Sequence, residues 1–165
     1  MRNKYYLLAL LILALDLLTK WWIRSSFELH QSLEIIPGYL RIIRVHNTGV
    51  AFGLFADFHS AWKPYLLALM AVVAVVVIVI YSARMPSGRV MLQLALAVTM
   101  GGILGNFIDR IVRGFVVDFI EFHIHDSFYW PTFNVADSAI TVGIALLLLD
   151  TVKNPEEQPA PSLPN

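Results

Sequence analysis

The chain has 165 residues, of which 58% are hydrophobic and only 15% are charged. That apolar content exceeds what a soluble domain of this length can bury, so the composition predicts an integral membrane protein. Twelve basic residues balance twelve acidic ones, which excludes a basic surface for nucleic acid. The absence of cysteine excludes disulfides, thiolate metal ligands and a cysteine nucleophile.

Four apolar stretches are long enough to cross a bilayer core, which needs about 20 helical residues. The first follows Arg2 and Lys4 as a signal peptide would, but it contains an aspartate and lacks a small-residue cleavage site, so we expect it to remain as a helix. The predicted fold class is an all-α membrane protein, with one four-helix domain over residues 1–153. The predicted spans are 5–23, 64–83, 90–110 and 131–150.

The segments that connect these spans predict a small sheet on one side of the membrane. Residues 24–62 contain two strand-like runs, 32–36 and 39–45, separated by Pro37-Gly38. The N-terminus and the short loop 84–89 are basic, which favours cytoplasmic termini and an extracytoplasmic β-rich loop. Residues 154–165 contain four prolines and two glutamates, and we expect a disordered tail there.

Strongly polar side chains interrupt three of the spans at a similar depth. Counted at about 1.5 Å per residue from the face of the termini, all of them lie about 17 to 28 Å up their helices. Each helix carries two, one turn apart and on one face: Asp16 with Lys20, Asn106 with Asp109, and Asn134 with Asp137. The half of the bundle nearer the termini is expected to be apolar. This pattern predicts a polar pocket that opens toward the β-rich loop.

Two aspartates in such a pocket could form a catalytic pair. Carboxylates about 3 Å apart share one proton, so one can act as a general base on water while the other polarises a carbonyl. The four candidates are Asp16, Asp109, Asp118 and Asp137. Asp16 has Lys20 one turn away and Asp109 has Arg110 beside it, and these cations favour the ionised carboxylates. The other two, Asp118 and Asp137, have no basic neighbour in the adjacent turn. They are therefore the better pair.

Five blocks of sequence occur in a fixed order along the chain. They are Asp16-Leu-Leu-Thr19-Lys20, Asn47-Thr-Gly49-Val-Ala51-Phe52, Gly101-Gly102-Ile-Leu-Gly105-Asn106-Phe-Ile-Asp109-Arg110, Val117-Asp118-Phe119 and Phe133-Asn134-Val-Ala136-Asp137. Together they resemble the signature blocks of the lipoprotein signal peptidase family, also called signal peptidase II. The resemblance covers residues 1 to about 153, and no polar motif position departs from it.

The resemblance implies an aspartic endopeptidase of the bacterial cytoplasmic membrane. Such an enzyme removes the signal peptide from a diacylglyceryl-modified prolipoprotein by cutting before the lipobox cysteine, and it is inhibited by globomycin. By motif position, Asp118 and Asp137 would be the catalytic pair. The residues that would bind substrate or support the pair are Asp16, Lys20, Asn47, Gly49, Phe52, Asn106, Asp109, Arg110, Asn134 and Ala136. The family fold also implies an extracytoplasmic sheet and a short interfacial helix. We expect a monomer surrounded by membrane lipid, with no metal or other cofactor.

Several interpretations without a catalytic role stay open for individual residues. Asp16 with Lys20 could be only a neutralised buried pair. Gly101 and Gly105, four residues apart, favour helix packing, and Arg113 favours an interfacial anchor. Alternate histidines on a strand could hold a metal, although an interfacial segment is favoured; the residues concerned are Glu121, His123, His125 and Asp126.

Two other classes of function compete with a peptidase. A small proton-coupled transporter would carry polar groups along the whole bilayer depth or a broken helix at the midplane. The charge-free second span argues against that class. A non-catalytic assembly or lipid-binding protein is the other alternative, and it would not hydrolyse any peptide.

Overall fold

Four long helices form most of the molecule in a computed structural model that describes residues 2–49 and 62–154. They are α1 (Asn3–Ser26), α2 (Lys63–Arg84), α3 (Val90–Arg113) and α4 (Val135–Lys153). Each is long and apolar enough to cross a membrane. The predicted four-helix membrane fold is therefore confirmed. The expected disordered tail falls on residues of which all but Asn154 lie outside the described part of the chain.

Helix α3 lies at the centre of the bundle, where it contacts each of the other three helices. The most apolar stretch of 18 residues in α3 is 61% buried, whereas the corresponding stretch in α2 is 17% buried. In α2, the side chains of Leu69, Val73 and Val77 are more than half exposed, at 59%, 55% and 59%. Such exposure is stable only where lipid replaces water, so α2 presents its apolar surface to the bilayer.

Glycines let α3 approach its neighbours closely. A Cβ atom at Gly101 would lie 2.7 Å from the Ala9 carbonyl oxygen of α1. In α4, a Cβ atom at Gly143 would lie 2.1 Å from the Thr99 Oγ1 and 2.9 Å from the Thr99 main-chain nitrogen. Small residues at helix crossings are a principal means by which membrane helices pack. The crossings of α3 with α1 and α4 therefore depend on residues without a side chain.

A four-stranded antiparallel sheet packs against the end of α1. Its strands are β1 (Ser32–Ile36), β2 (Leu40–Asn47), β3 (Val116–Ile124) and β4 (Phe128–Tyr129), in that spatial order. Ile23 of α1 and Phe27, which directly follows that helix, pack against Val117 and Phe119 of β3. The first two strands match the sequence prediction. The short interfacial helix is not among the helices of residues 2–49 and 62–154.

Strands β3 and β4 come from the connection between the third and fourth predicted spans, where the sequence favoured an interfacial segment. The first four residues of β3, 116–119, are all buried. A strand buried on both faces shows no alternation of apolar and polar residues, which is the usual signal for a strand. Gly114 ends α3 in the left-handed conformation, with φ +78°, and the chain then turns directly into β3.

The half of the bundle nearer the termini is not wholly apolar, contrary to expectation. Ser82 of α2 and Gln93 of α3 are both buried there. The Ser82 hydroxyl donates to Gln93 Oε1 at 2.6 Å, and Gln93 Nε2 donates to the Ser82 carbonyl at 3.1 Å. Near the helix ends, Arg89 pairs with Asp150. Because these groups satisfy one another, they can be buried at little cost within otherwise apolar sequence.

Replacing Gly143 by alanine should destabilise the bundle. The new methyl group would overlap Thr99 and also the main chain of α3, which cannot move aside, and overpacking of this kind costs about 1–3 kcal/mol. Thermal unfolding in detergent should show a lower Tm for Gly143→Ala. Gly88→Ala is the matched control, because apart from its chain neighbours no heavy atom of residues 2–49 and 62–154 lies within 4 Å of a Cβ atom there. Equal Tm values for the two variants would contradict the packing described for α3 and α4.

Candidate active site

The N-terminus of α4 positions Asp137 through a capping box. The Asn134 side chain accepts a hydrogen bond from the Asp137 main-chain N–H at 2.9 Å, and Asp137 Oδ2 accepts from the Asn134 N–H at 3.2 Å. Asn134 is fully buried, whereas Asp137 is partly exposed. A carboxylate in the first turn is also stabilised by the positive end of the helix dipole. The carboxylate of Asp137 is thereby held in place at the start of α4, in a residue that is only partly buried.

Asp118 reaches the same place from β3. Its Oδ1 accepts from Asn134 Nδ2 at 2.7 Å, and its Oδ2 accepts from Asn47 Nδ2 of β2 at 2.9 Å. Only 1% of the residue is exposed. Burial, followed by the charge of Asp137, raises the pKa of Asp118 from 3.8 to about 7. Asp118 can therefore hold a proton at near-neutral pH.

Asn106 of α3 completes the amide contacts around the two aspartates. Its Nδ2 donates to Asp137 Oδ1 at 2.7 Å, while its Oδ1 accepts from Asn134 Nδ2 at 3.2 Å. Asn134 contacts both aspartates, through its side chain to Asp118 and through its main chain to Asp137. Two carboxylates from different elements are thus held around one asparagine.

Lys20 of α1 lies behind this pair, and 1% of its side chain is exposed. Its Nζ lies 2.8 Å from Asp16 Oδ2 and 3.2 Å from Asp109 Oδ2, and it donates to Asn106 Oδ1 at 2.9 Å. Asp109 also pairs with Arg113. From the sequence, Arg113 is predicted to be an interfacial anchor and Arg110 to be the cation of Asp109. The structure instead places Arg113 and Lys20 against that carboxylate.

The chain after β2 is attached to the same site. Asn47 Oδ1 accepts from the Gly49 N–H at 2.8 Å, and the Gly49 carbonyl accepts from Arg110 Nη2 at 3.0 Å. Arg110 Nη1 also donates to the Asn106 carbonyl at 3.2 Å. Phe52, the remaining residue predicted for this block, lies outside the described residues. The described part of the block is therefore held between Asp118 and α3.

The side chains considered as metal ligands have other partners on the sheet. Glu121 pairs with Arg41 at 2.6 Å, and His123 Nε2 lies 3.3 Å from Glu34 Oε2. The exposed Asp126 accepts a hydrogen bond from the Tyr129 hydroxyl at 3.2 Å. Within residues 2–49 and 62–154, no group of three or more His, Asp or Glu side chains is placed to hold a metal ion.

Two main-chain contacts of the site could not be found by sequence reasoning. The Val117 N–H donates to Asp109 Oδ2 at 3.1 Å, and the Ala136 N–H donates to Asp16 Oδ1 at 2.9 Å. A backbone N–H is present at every residue except proline, so no residue type marks these positions. The motif around Asn134 predicted Ala136 as a site residue but not this bond.

The fold and the site together define a class of protein. Two aspartates, one of them with a pKa of about 7, lie close together inside a bundle of helices that can span a membrane. A carboxyl that keeps its proton beside a second carboxylate is the arrangement used for acid–base hydrolysis by two aspartates. The class of protein that this fold and this pair of aspartates fit is an aspartic peptidase of a membrane.

Comparisons with known proteins agree with that class. The family model for signal peptidase (SPase) II matches residues 8–153. The lipoprotein signal peptidase of Pseudomonas putida is 42% identical over 151 residues, covering 92% of this chain and 88% of the relative. That of Pseudomonas syringae pv. tomato is 43% identical over 147 residues, covering 89% and 84%. A bacterial membrane enzyme solved at 2.3 Å superposes with a TM-score of 0.82 at 28% identity, covering 98% and 95%.

The chain therefore belongs to the signal peptidase II family of aspartic peptidases. The family match covers most of α1, the whole of the other three helices and both aspartates of the site.

The raised pKa of Asp118 should make folding stability depend on pH. In the unfolded chain an aspartate ionises near its ordinary value of about 3.9, whereas in the folded protein Asp118 ionises at about 7. The unfolded state therefore loses its proton first, so stability falls as pH rises through this interval. Asp118→Asn lacks this titration. We expect its Tm in detergent to rise relative to wild type between pH 5 and pH 8.

The exposed Asp126 supplies the control for that comparison. Asp126→Asn also removes one carboxylate, but it lies on the surface of the sheet away from the site. A difference in Tm between wild type and Asp118→Asn that stays constant from pH 5 to pH 8 would show that Asp118 does not titrate in this interval.

Proposed function

We propose that this chain is a prolipoprotein signal peptidase of the bacterial cytoplasmic membrane, with Asp118 and Asp137 as its catalytic residues. The single observation that carries the proposal is the contact of Asn134 with both aspartates, since it brings the two carboxylates to one place. The basic N-terminus and the basic loop after α2 favour cytoplasmic termini. With that orientation, the sheet and the catalytic pair lie toward the extracytoplasmic face.

The two aspartates have different environments, which suggests different roles. Asp118 is buried and its pKa is about 7, so it would hold the shared proton and donate it to the scissile carbonyl oxygen. Asp137 is partly exposed at the positive end of α4, so it would take a proton from the attacking water. The C–N bond of the tetrahedral intermediate would then break as Asp137 passes that proton to the leaving amine of the cysteine, while a hydroxyl of the intermediate returns its proton to Asp118.

The substrate proposed for this site is a diacylglyceryl-modified prolipoprotein. Its acyl chains would remain in the bilayer beside the bundle, and this would hold the scissile bond at the depth of the aspartates. Asn47, Gly49 and Arg110 would line the approach of the peptide, together with Phe52. Globomycin is the expected inhibitor, and the chain would act as a monomer among membrane lipids. The chemistry needs no metal or organic cofactor.

Single isosteric changes at the pair test this function. Purified wild-type protein should cleave a diacylglyceryl-modified prolipoprotein before its cysteine, and EDTA should not reduce the rate. Asp118→Asn and Asp137→Asn should each lower kcat by about 100- to 10,000-fold, because each removes one partner of the proton transfer. Quantification of the released mature lipoprotein gives the rate.

Asp150→Asn is the matched control for these variants. It changes another buried aspartate, which pairs with Arg89 at the opposite end of α3 and α4. We expect it to retain cleavage while losing some thermal stability. Failure of the wild type to cleave the modified substrate would refute the peptidase proposal. Near-normal turnover by either Asn variant would refute the role of that aspartate.

A further inference from the structure

The ammonium group of Lys20 joins two helices of the site, α1 and α3. It lies on α1, contacts Asp16 one turn earlier, and reaches Asp109 and Asn106 on α3. Three oxygen atoms, two of them from carboxylates, therefore surround the ammonium group. Lys20, Asp16 and Asp109 are each no more than 1% exposed. We call these three residues the ion strut.

Both carboxylates of the ion strut extend to the main chain beside a catalytic aspartate. Asp16 Oδ1 accepts from the N–H of Ala136, which immediately precedes Asp137. Asp109 Oδ2 accepts from the N–H of Val117, which immediately precedes Asp118. The bond lengths are 2.9 and 3.1 Å. The ion strut therefore connects the backbone of α4 to the backbone of β3 through one buried ammonium group.

We infer that the ion strut sets the distance between the two catalytic aspartates, so that its three members are positioning residues. The inference rests on the proposed function, because it assigns Asp118 and Asp137 the chemistry. Each end of the ion strut fixes the residue before one aspartate, and the side chain that follows can then move little. A misplacement of about 1 Å at a reacting group can cost about 100-fold in rate.

A purely structural role explains the ion strut less well. Buried ion pairs often add little stability, because the cost of removing charges from water offsets their attraction. Other contacts already join the same helices, including the glycine crossings and the Arg89–Asp150 pair. Apolar side chains could fill the same volume, but they could not accept a hydrogen bond from Ala136 and Val117. An apolar replacement would therefore lose the two hydrogen bonds to the main chain that lie at the ends of the ion strut.

Gly105 of α3 provides the space that the ion strut needs. A Cβ atom there would lie 2.3 Å from Asp16 Oδ2, the oxygen that binds Lys20, and 3.3 Å from the Ala136 Cβ. Any side chain at this position would push the Asp16 carboxylate away from α3. The glycine therefore allows the carboxylate to contact Lys20 and the start of α4 together.

The double variant Lys20→Met with Asp16→Asn tests the inference. It removes one positive and one negative charge, so no uncompensated buried charge is left to unfold the protein. The asparagine can still accept from Ala136, but the connection to Asp109 is lost. Steady-state cleavage of a diacylglyceryl-modified prolipoprotein should show kcat reduced by about 100-fold with KM unchanged. Asp150→Asn, the control, should keep the wild-type kcat.

A second variant applies the same test without changing any charge. Gly105→Ala should displace the Asp16 carboxylate and lower kcat at unchanged KM. Gly143→Ala introduces a similar overlap between α3 and α4 away from the ion strut, so it should lower Tm while retaining kcat. This comparison holds even if the double variant does not fold.

The outcomes separate the inference from the proposed function. If the wild type cleaves and a folded double variant or Gly105→Ala keeps the wild-type kcat, the ion strut does not position the aspartates. A rise in KM at constant kcat would likewise overturn the inference, because it would assign these residues to substrate binding. If the wild type does not cleave, the proposed function itself fails.

Discussion

The cost of burying charge is the constraint on which this structure depends. An isolated ion in a low-dielectric interior is so unfavourable that buried charges occur only with partners. Among the described residues, the ion pairs of the site involve Asp16 and Asp109, which contact Lys20 and Arg113. Asp118 instead accepts hydrogen bonds from the side-chain amides of Asn47 and Asn134. A buried carboxyl held by neutral donors keeps its proton more readily than one paired with a cation, and this favours the singly protonated pair that two-aspartate hydrolysis requires.

The site combines helix-terminus chemistry with long-range contacts. Asn134 acts as the N-cap of α4, which is a local role, and its remaining amide group bonds to Asp118 on β3. One residue therefore starts the helix and joins the two aspartates. Because a capping box already fixes the rotamers of Asn134 and Asp137, little further entropy is lost when Asp118 docks. The hydrogen bonds of Asn134 therefore both start α4 and hold the two aspartates near each other.

Much of the fold and site could be predicted from the sequence, and the remainder has a physical reason. Apolar runs predicted the four helices, and the one-turn spacing of Asp16 with Lys20 placed both on one face. Strand β3 was missed because residues buried on both sides show no alternation. The partner of Asp109 was misassigned to Arg110, since adjacency in sequence points neighbouring helical side chains in different directions. Main-chain donors such as the N–H of Val117 cannot be predicted from residue type, because every residue except proline has one.

The close packing of the helices and the contacts of the polar site depend on the same glycines. A Cβ atom at Gly102 would lie 2.4 Å from the Ala136 carbonyl, and one at Gly105 would lie 2.3 Å from Asp16. These absent side chains bring α1, α3 and α4 together at the level of Ala136, one residue before Asp137. Only at such short separation can a carboxylate on α1 bond to the main chain of α4. The small residues that join helices in lipid thereby also allow buried charges to meet their partners.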